Sequence, residues 1–415
     1  MHDAAFWMSF AFRNVWRNWR RSALTMILIA IACAALLCTW GFMKASFEGL
    51  KYSIVSGGTG HFQIGSKAEF GVEGVDSLER ALPSAVARAL LAQSVLPGVR
   101  QVVPRLYFEG LISNGEHSFA FVGTAVDPEV EWSAFGRSMS VTRGSFLPIG
   151  GAKDASVILG DGLAQRLKVV PGQSVTLLAP TVFGSLNAID VEVVGTYASG
   201  VVDRDNLSLM VPLRLAHSLL RSDRVSRVAV LLGASRPNLT GDEFLREAAL
   251  GDFAKGLEAR PWQQLAPVYD QVRRMYTDQF IVLGVILVAL VLAACSTTIV
   301  SGVLERAREI AILRAIGIRS AALRGAFVLE GAYMALIGAI LGVLTTFAIS
   351  AALNALRIEM PPPPGRSIGY PLYVLTDIEA CLFVVAFMVT IGGVAGWLTS
   401  RYVSSVDILD VLSQS

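Results

Sequence analysis

The chain has 415 residues, of which 53% are hydrophobic and 16% charged, with a mean hydropathy of +0.55. Soluble proteins carry about 25% charged residues, so this composition excludes an ordinary soluble globule and points to a membrane protein with a sizeable polar part. The net charge of +2 is too small to attract nucleic acid through whole-molecule electrostatics.

Residues 1–21 contain FWMSFAFRNVWRNWRR, in which arginine alternates with aromatic residues. That mixture predicts an amphipathic entry helix lying at headgroup level, anchored by Trp7, Arg13, Trp16, Arg17, Trp19, Arg20 and Arg21. Residues 22–43 carry no charge, and a span needs roughly 20 apolar residues, so a first membrane helix is predicted over 22–44. AIAC at 30–33 weakly matches a lipoprotein cleavage box. The apolar run continues well past Cys33, so the segment reads as an uncleaved span.

Residues 45–277 are mixed in character and predict an α+β domain. HFQIG, LYFEGLIS and HSFAFVGTAV read as strands, the last two joined by an NGE hairpin turn. Residues 77–95 read as helices interrupted at Pro83. SVILGDGLAQRLKVVPGQSVTLLAP reads as strand, short helix, Pro171-Gly172 turn and strand, and IDVEVVGTYASG as a further strand. LMVPLRLAHSLL reads as a strand entering a helix, RVSRVAVLLG as a strand, and GDEFLREAALGDFAKGL as an amphipathic helix.

This region carries no catalytic constellation. Asp203 and Asp205 are adjacent carboxylates but read as a solvated turn. No G-x-S-x-G nucleophile is present, and the four histidines are scattered without H-E-x-x-H. The four cysteines all fall in apolar runs, which argues against both disulfide stapling and a metal site. G-x-x-x-x-G-K-[ST] occurs nowhere, so any ATP and Mg are expected in another subunit, with no cofactor bound by this chain.

Uncharged runs at 280–304, 331–356 and 380–400 predict three more spans over 278–304, 321–356 and 377–400, with a loop at 357–376 and a tail at 401–415. In the third and fourth, Gly338/Gly342 and Gly392/Gly396 are spaced for close helix approach, within the chain or across a dimer. Lys/Arg bias near the span ends places both termini in the cytoplasm and 45–277 outside. The connector 305–320, LERAREIAILRAIGIRS with its preceding leucine, then faces the cytoplasm. Glu305/Arg308 and Arg306/Glu309 are at i,i+3 spacing on a wet face. Ile310, Leu313 and Ile316 form an apolar edge that suits a partner groove, and Gly317 can end the helix before Ser320 caps the next.

Three of these stretches resemble the permease subunits of ABC transporters in the FtsX-like/macrolide-exporter superfamily. They are AFRNVWRNWRRSALT, the domain segment from VILGDGLAQRL to MVPLRLAHSLL, and ERAREIAILRAIGIRSAAL. GTGHFQIG and the proline run MPPPPGRSIGY are most similar to the lipoprotein-releasing permeases, while the tail SSVDILDVL lacks the family's proline. The resemblance implies four transmembrane helices with an α+β extracytoplasmic domain between the first and second, in a bacterial inner membrane. It implies a non-catalytic subunit that pairs with two ATP-binding subunits and a second permease. In that reading Glu305, Arg308, Glu309, Ile310, Leu313, Arg314, Ile316 and Gly317 receive the ATPase motion. The expected work is extraction of a lipidated or amphiphilic substrate from the outer leaflet, with lipids and a periplasmic lipoprotein carrier as further partners. The alternatives are a mechanotransmitting permease that controls a periplasmic enzyme such as a cell-wall hydrolase, and a membrane-bound hydrolase, which the missing nucleophile disfavours.

Overall fold

A computed structural model describes residues 13, 16–17, 19–70, 78–136, 139–150, 155–248, 250–305, 312, 316, 320–360 and 370–404. The chain forms two compact units. One gathers the apolar helices, and the other is built from residues 49–271 with 360–370.

In chain order, α1 (Trp19–Ile54) leads to β1 (Phe62–Ser66), α2 (Ser84–Leu91) and the long hairpin of β2 (Val99–Ser113) and β3 (Ser118–Val126). There follow α3 (Pro128–Phe135), β4 (Ser140–Gly144), β5 (Ser156–Gly160), α4 (Asp161–Leu167), β6 (Ser174–Pro180) and β7 (Leu186–Ala198). The domain closes with β8 (Ser208–Pro212), α5 (Leu213–Leu220), β9 (Arg227–Leu232), α6 (Gly241–Glu247) and β10 (Leu257–Pro261). Three further long helices follow: α7 (Pro267–Glu305), α8 (Ser320–Leu356) and α9 (Ile378–Ser404).

The ten strands form one mixed sheet in the order β10-β1-β9-β2-β3-β8-β5-β7-β4, with β6 pairing β2 and β7. β2 is the spine. Its first half pairs with β9, its second half with β6, and it pairs with β3 through the register Ser113↔Ser118 to Arg105↔Val126. β5 and β8 are buried at every position, as their apolar centres VIL and LMV require, and Ser156 and Ser208 are buried with them. Leu106, Phe121, Leu159, Leu209 and Val211 meet α4 and α5 in one core cluster. Phe62, Ile64, Val228 and Val230 meet α2 and α6 in another.

Three local expectations change. Among the described residues 78–82 before Pro83 there is no helix: Leu82 exchanges backbone hydrogen bonds with Val225 (2.8 and 3.0 Å), which holds the chain extended, and helix starts only after the proline. The helix expected from GDEFLREAALGDFAKGL starts with a capping box at Thr240/Glu243 but stops at Glu247, and a 3₁₀ stretch follows from Gly251, whose φ of +58° breaks the helical path. Asp203 is exposed as expected, but Asp205 is buried and accepts a hydrogen bond from the Ser199 amide at 2.8 Å.

His61 provides a pH handle within this unit. Its Nδ1 accepts from the Leu232 amide at 3.1 Å, a bond only the unprotonated nitrogen can make. Burial, assisted by Lys51, holds its pKa below the ordinary histidine value. The unfolded chain therefore takes up a proton first as pH falls. The stabilisation is fully present above about pH 6.5 and is lost as pH drops toward the lower folded value. Thermal unfolding between pH 7.5 and 5 is expected to show this decline, and His61→Gln is expected to flatten it.

In the helical unit, Ile29, Cys33, Leu36, Val291, Cys295, Ala335, Ala339, Met388 and Ala395 make a small-residue core. All four cysteines are free thiols. Polar pins fasten the opposite end from the chain start. Lys44 pairs with Asp377 at 2.7 Å, Leu375 N donates to Gly41 O, and Asn354 both donates to and accepts from the Val374 backbone.

Candidate functional site

The helix ends that flank the connector form the candidate coupling site. Glu305, the last residue of α7, pairs with Arg21 near the start of α1 at 2.8 Å. One turn or two inward, the Thr25 and Thr298 hydroxyls hydrogen bond. Both charged side chains are about half exposed, so the pair contributes geometry rather than much stability. It ties the entry segment to the beginning of the connector. Ile316 N donates to Ile312 O at 3.0 Å, and the two side chains are 75% and 50% exposed. Arg308, Glu309, Ile310, Leu313, Arg314 and Gly317 lie outside the described residues, as do Trp7, the proline run and the tail beyond Ser404.

Arg13, Trp16, Arg17, Trp19, Arg20 and Arg21 are exposed, Trp16 and Trp19 by more than 60%. Uncovered tryptophans beside arginines suit a headgroup layer. Arg401 lies over the Trp397 ring at 4.2 Å, a further basic–aromatic anchor that the spacing analysis did not single out.

Each of the four glycines is used inside the chain. A Cβ on Gly338 would lie 2.8 Å from Met26 O, and one on Gly342 2.6 Å from Cys33 Cβ, so both admit α1 against α8. A Cβ on Gly392 would meet Ala335 Cβ and the Gly331 carbonyl, and one on Gly396 the Phe327 carbonyl, so these admit α9 against α8. A side chain at any of the four positions would therefore meet a neighbouring helix of the same chain.

The sheet unit contains a second constellation that the sequence reading missed. Arg105 on β2 and Glu131 on α3 form a buried, two-pronged ion pair, with side chains 6% and 0% exposed. Arg105 also donates to the carbonyl of Gly58 and stacks on Phe135 at 4.7 Å. Burial opposes its charge, but Glu131 and Tyr107 outweigh that cost and hold its pKa above the ordinary guanidinium value. Gly58 has φ +118° and Gly60 φ +73°, so the glycines of GTGHFQIG are required where α1 gives way to β1. The legible signal was an arginine inside the apolar strand sequence VVPRLYF. Among the described residues no group of His, Cys, Asp and Glu is arranged to hold a metal ion.

Residues 22–240 match the MacB-like periplasmic core domain family, and residues 280–408 match the FtsX-like permease C-terminal family. The chain is 26% identical over 222 residues to the lipoprotein-releasing system transmembrane protein LolC of Neisseria meningitidis serogroup B, covering 49% of this chain and 51% of that protein. It is 29% identical over 136 residues to the ABC transporter permease YtrF of Bacillus subtilis, covering 32% and 31%. It is 34% identical over 112 residues to a macrolide export ATP-binding/permease protein MacB of Yersinia pestis, covering 27% and 15%. The chain thus spans about half or less of the length of these relatives. The crystal structure of the periplasmic region of MacB from Actinobacillus actinomycetemcomitans aligns over 52% of this chain and 95% of that one, at TM-score 0.37 and 15% identity.

Proposed function

We propose, from the premise that this chain belongs to the MacB-like periplasmic core domain family, that it is the permease subunit of an ABC transporter. Motion from a separate ATP-hydrolysing subunit enters at the connector and drives extraction of a lipidated or amphiphilic substrate from the outer face of the inner membrane. Both termini and the connector then lie in the cytoplasm and the sheet unit in the periplasm, in agreement with the arginine-rich ends at Arg13–Arg21 and Arg401.

One observation carries the substrate reading. Only 11% of the apolar window of α7 is buried in the chain, against 50% for α1. Ile281, Val282, Val285, Ile286 and Leu290 form an uncovered apolar face on it. Such a face suits lipid and, in a pair of permeases, a vestibule wall open to the bilayer. The helix lengths fit transmission. At 1.5 Å per residue, the 36 residues of α1 and 39 of α7 run about 54 and 58 Å, well beyond the ~30 Å hydrocarbon core. Continuous helix of that length is a stiff rod.

The test is reconstitution with the ATPase subunit in proteoliposomes. ATP-dependent release of lipid or lipoprotein to a soluble acceptor is expected. Reversing charge at Glu309 or Arg314, or Leu313→Asp, is expected to leave ATP turnover measurable while abolishing release, or to prevent assembly. Turnover with nothing leaving the bilayer, even in the unaltered complex, would instead favour a signalling permease. Full release in all three variants would remove the connector from the coupling path.

A further inference from the structure

Beside the Arg105–Glu131 pair lies a polar cavity of about 200 Å³ inside the sheet unit. Its walls carry the guanidinium groups of Arg105, Arg204 and Arg227, the Tyr107 phenol and the main chain of Gly57 and Gly58, and none of the lining residues is acidic. Two of the arginines are matched from outside the cavity, Arg105 by Glu131 and Arg227 by Glu69 at 2.8 Å. The third differs: the Arg204 guanidinium makes no ion pair and no hydrogen bond among the described residues. Yet its backbone is held in place. Arg204 sits in a helical turn, Val202–Asp205, pinned by the buried Asp205 through the Ser199 amide. An exposed, unpaired cation at the wall of a cavity that also holds two compensated guanidinium groups and a phenol is an arrangement that can bind an anion.

We propose that this cavity binds a phosphate group, whether carried on a lipid headgroup or free in solution. Phosphate oxygens accept from several guanidinium and hydroxyl donors at once, and bidentate contact with Arg204 would satisfy the donors it now leaves open. The adjoining cavity, which shares Arg105 and Arg204 and is also lined by Glu131, Phe135 and Met139, measures only about 40 Å³ and is too small for an acyl chain, so recognition stops at the phosphate group. This site stands independently of the transport reading.

The test is calorimetric titration of the 415-residue chain in neutral detergent and phosphate-free buffer. The probes are dihexanoyl phosphatidylglycerol, dihexanoylglycerol as its phosphate-free counterpart, and inorganic phosphate. Phosphatidylglycerol is expected to bind and dihexanoylglycerol not to. Arg204→Gln is expected to weaken binding about tenfold or more, Arg204→Lys less, and the exposed Arg214→Gln not at all. Since Arg204 has no partner to lose, Arg204→Gln is expected to keep the thermal midpoint of the unaltered chain. Inorganic phosphate binding as tightly as the lipid would uphold the site and assign it to a free anion. Absence of binding by both phosphate probes, or equal affinity in Arg204→Gln, would overturn the proposal.

Discussion

Glu131→Ala is expected to cost the 415-residue chain about 3–5 kcal/mol of stability, a large effect for a single substitution. The cost comes from what remains. Arg105 is 5% exposed, and without Glu131 its guanidinium keeps only the Gly58 carbonyl, the Tyr107 neighbourhood and the Phe135 face. A buried cation that has lost its carboxylate is penalised far more than a surface pair is rewarded. Replacing both members, Arg105→Met with Glu131→Leu, is expected to recover most of the loss, because two apolar side chains of similar volume need no partner. Denaturant unfolding of the three variants measures this. A Glu131→Ala chain as stable as the unaltered one, or a double variant no better than the single, would show that the pair does not organise this region. The Gly58 carbonyl makes the effect directional. Loosening Arg105 should first free the segment where α1 gives way to β1, so protease cleavage near Val55–Gly60 is expected to appear before global unfolding.

The second large effect is expected in the helical unit, where Gly392→Leu should lower the thermal midpoint and the amount of chain accumulated in the membrane. A side chain there meets the Gly331 carbonyl and Ala335 Cβ, and neither can rotate away. Only separation of α8 from α9 makes room, and overpacking of this kind costs about 1–3 kcal/mol or more. Gly338→Leu should act similarly on α1 and α8 through the Met26 carbonyl and Ile29. Gly284→Leu on α7 is the control, since a Cβ there has nothing within 4 Å, and it is expected to be close to neutral. Equal behaviour of Gly284→Leu and Gly392→Leu would mean that the close helix approach does not limit stability.

Much of the architecture was legible because membrane and sheet each impose a strong pattern. Four uncharged runs of about 20 residues can only be spans, since hydrocarbon leaves backbone groups no partner outside a helix. Short apolar-centred runs such as SVILG and SLMVP are the fully buried β5 and β8, and LYFEGLIS with HSFAFVGTAV is the β2–β3 hairpin. Helix ends were legible less well. Apolar periodicity continues through 77–82 and 248–257, and only pairing of Leu82 with Val225 and the left-handed Gly251 show where helix gives out. At the connector, the attachment of Glu305 to Arg21, 284 residues earlier, could not be read from charge and spacing.

The sequence alone determined the class of molecule: its spans, the inserted α+β domain, the missing phosphate loop and the charged connector are properties of local composition and period. Tertiary structure decided which residues do the connecting. It set Arg105 against Glu131 and Gly58, turned each glycine toward a particular helix, and left Arg204 facing a cavity without a counter-charge. Those pairings join positions tens to hundreds of residues apart. Their energies depend on distance and desolvation, which local pattern does not encode.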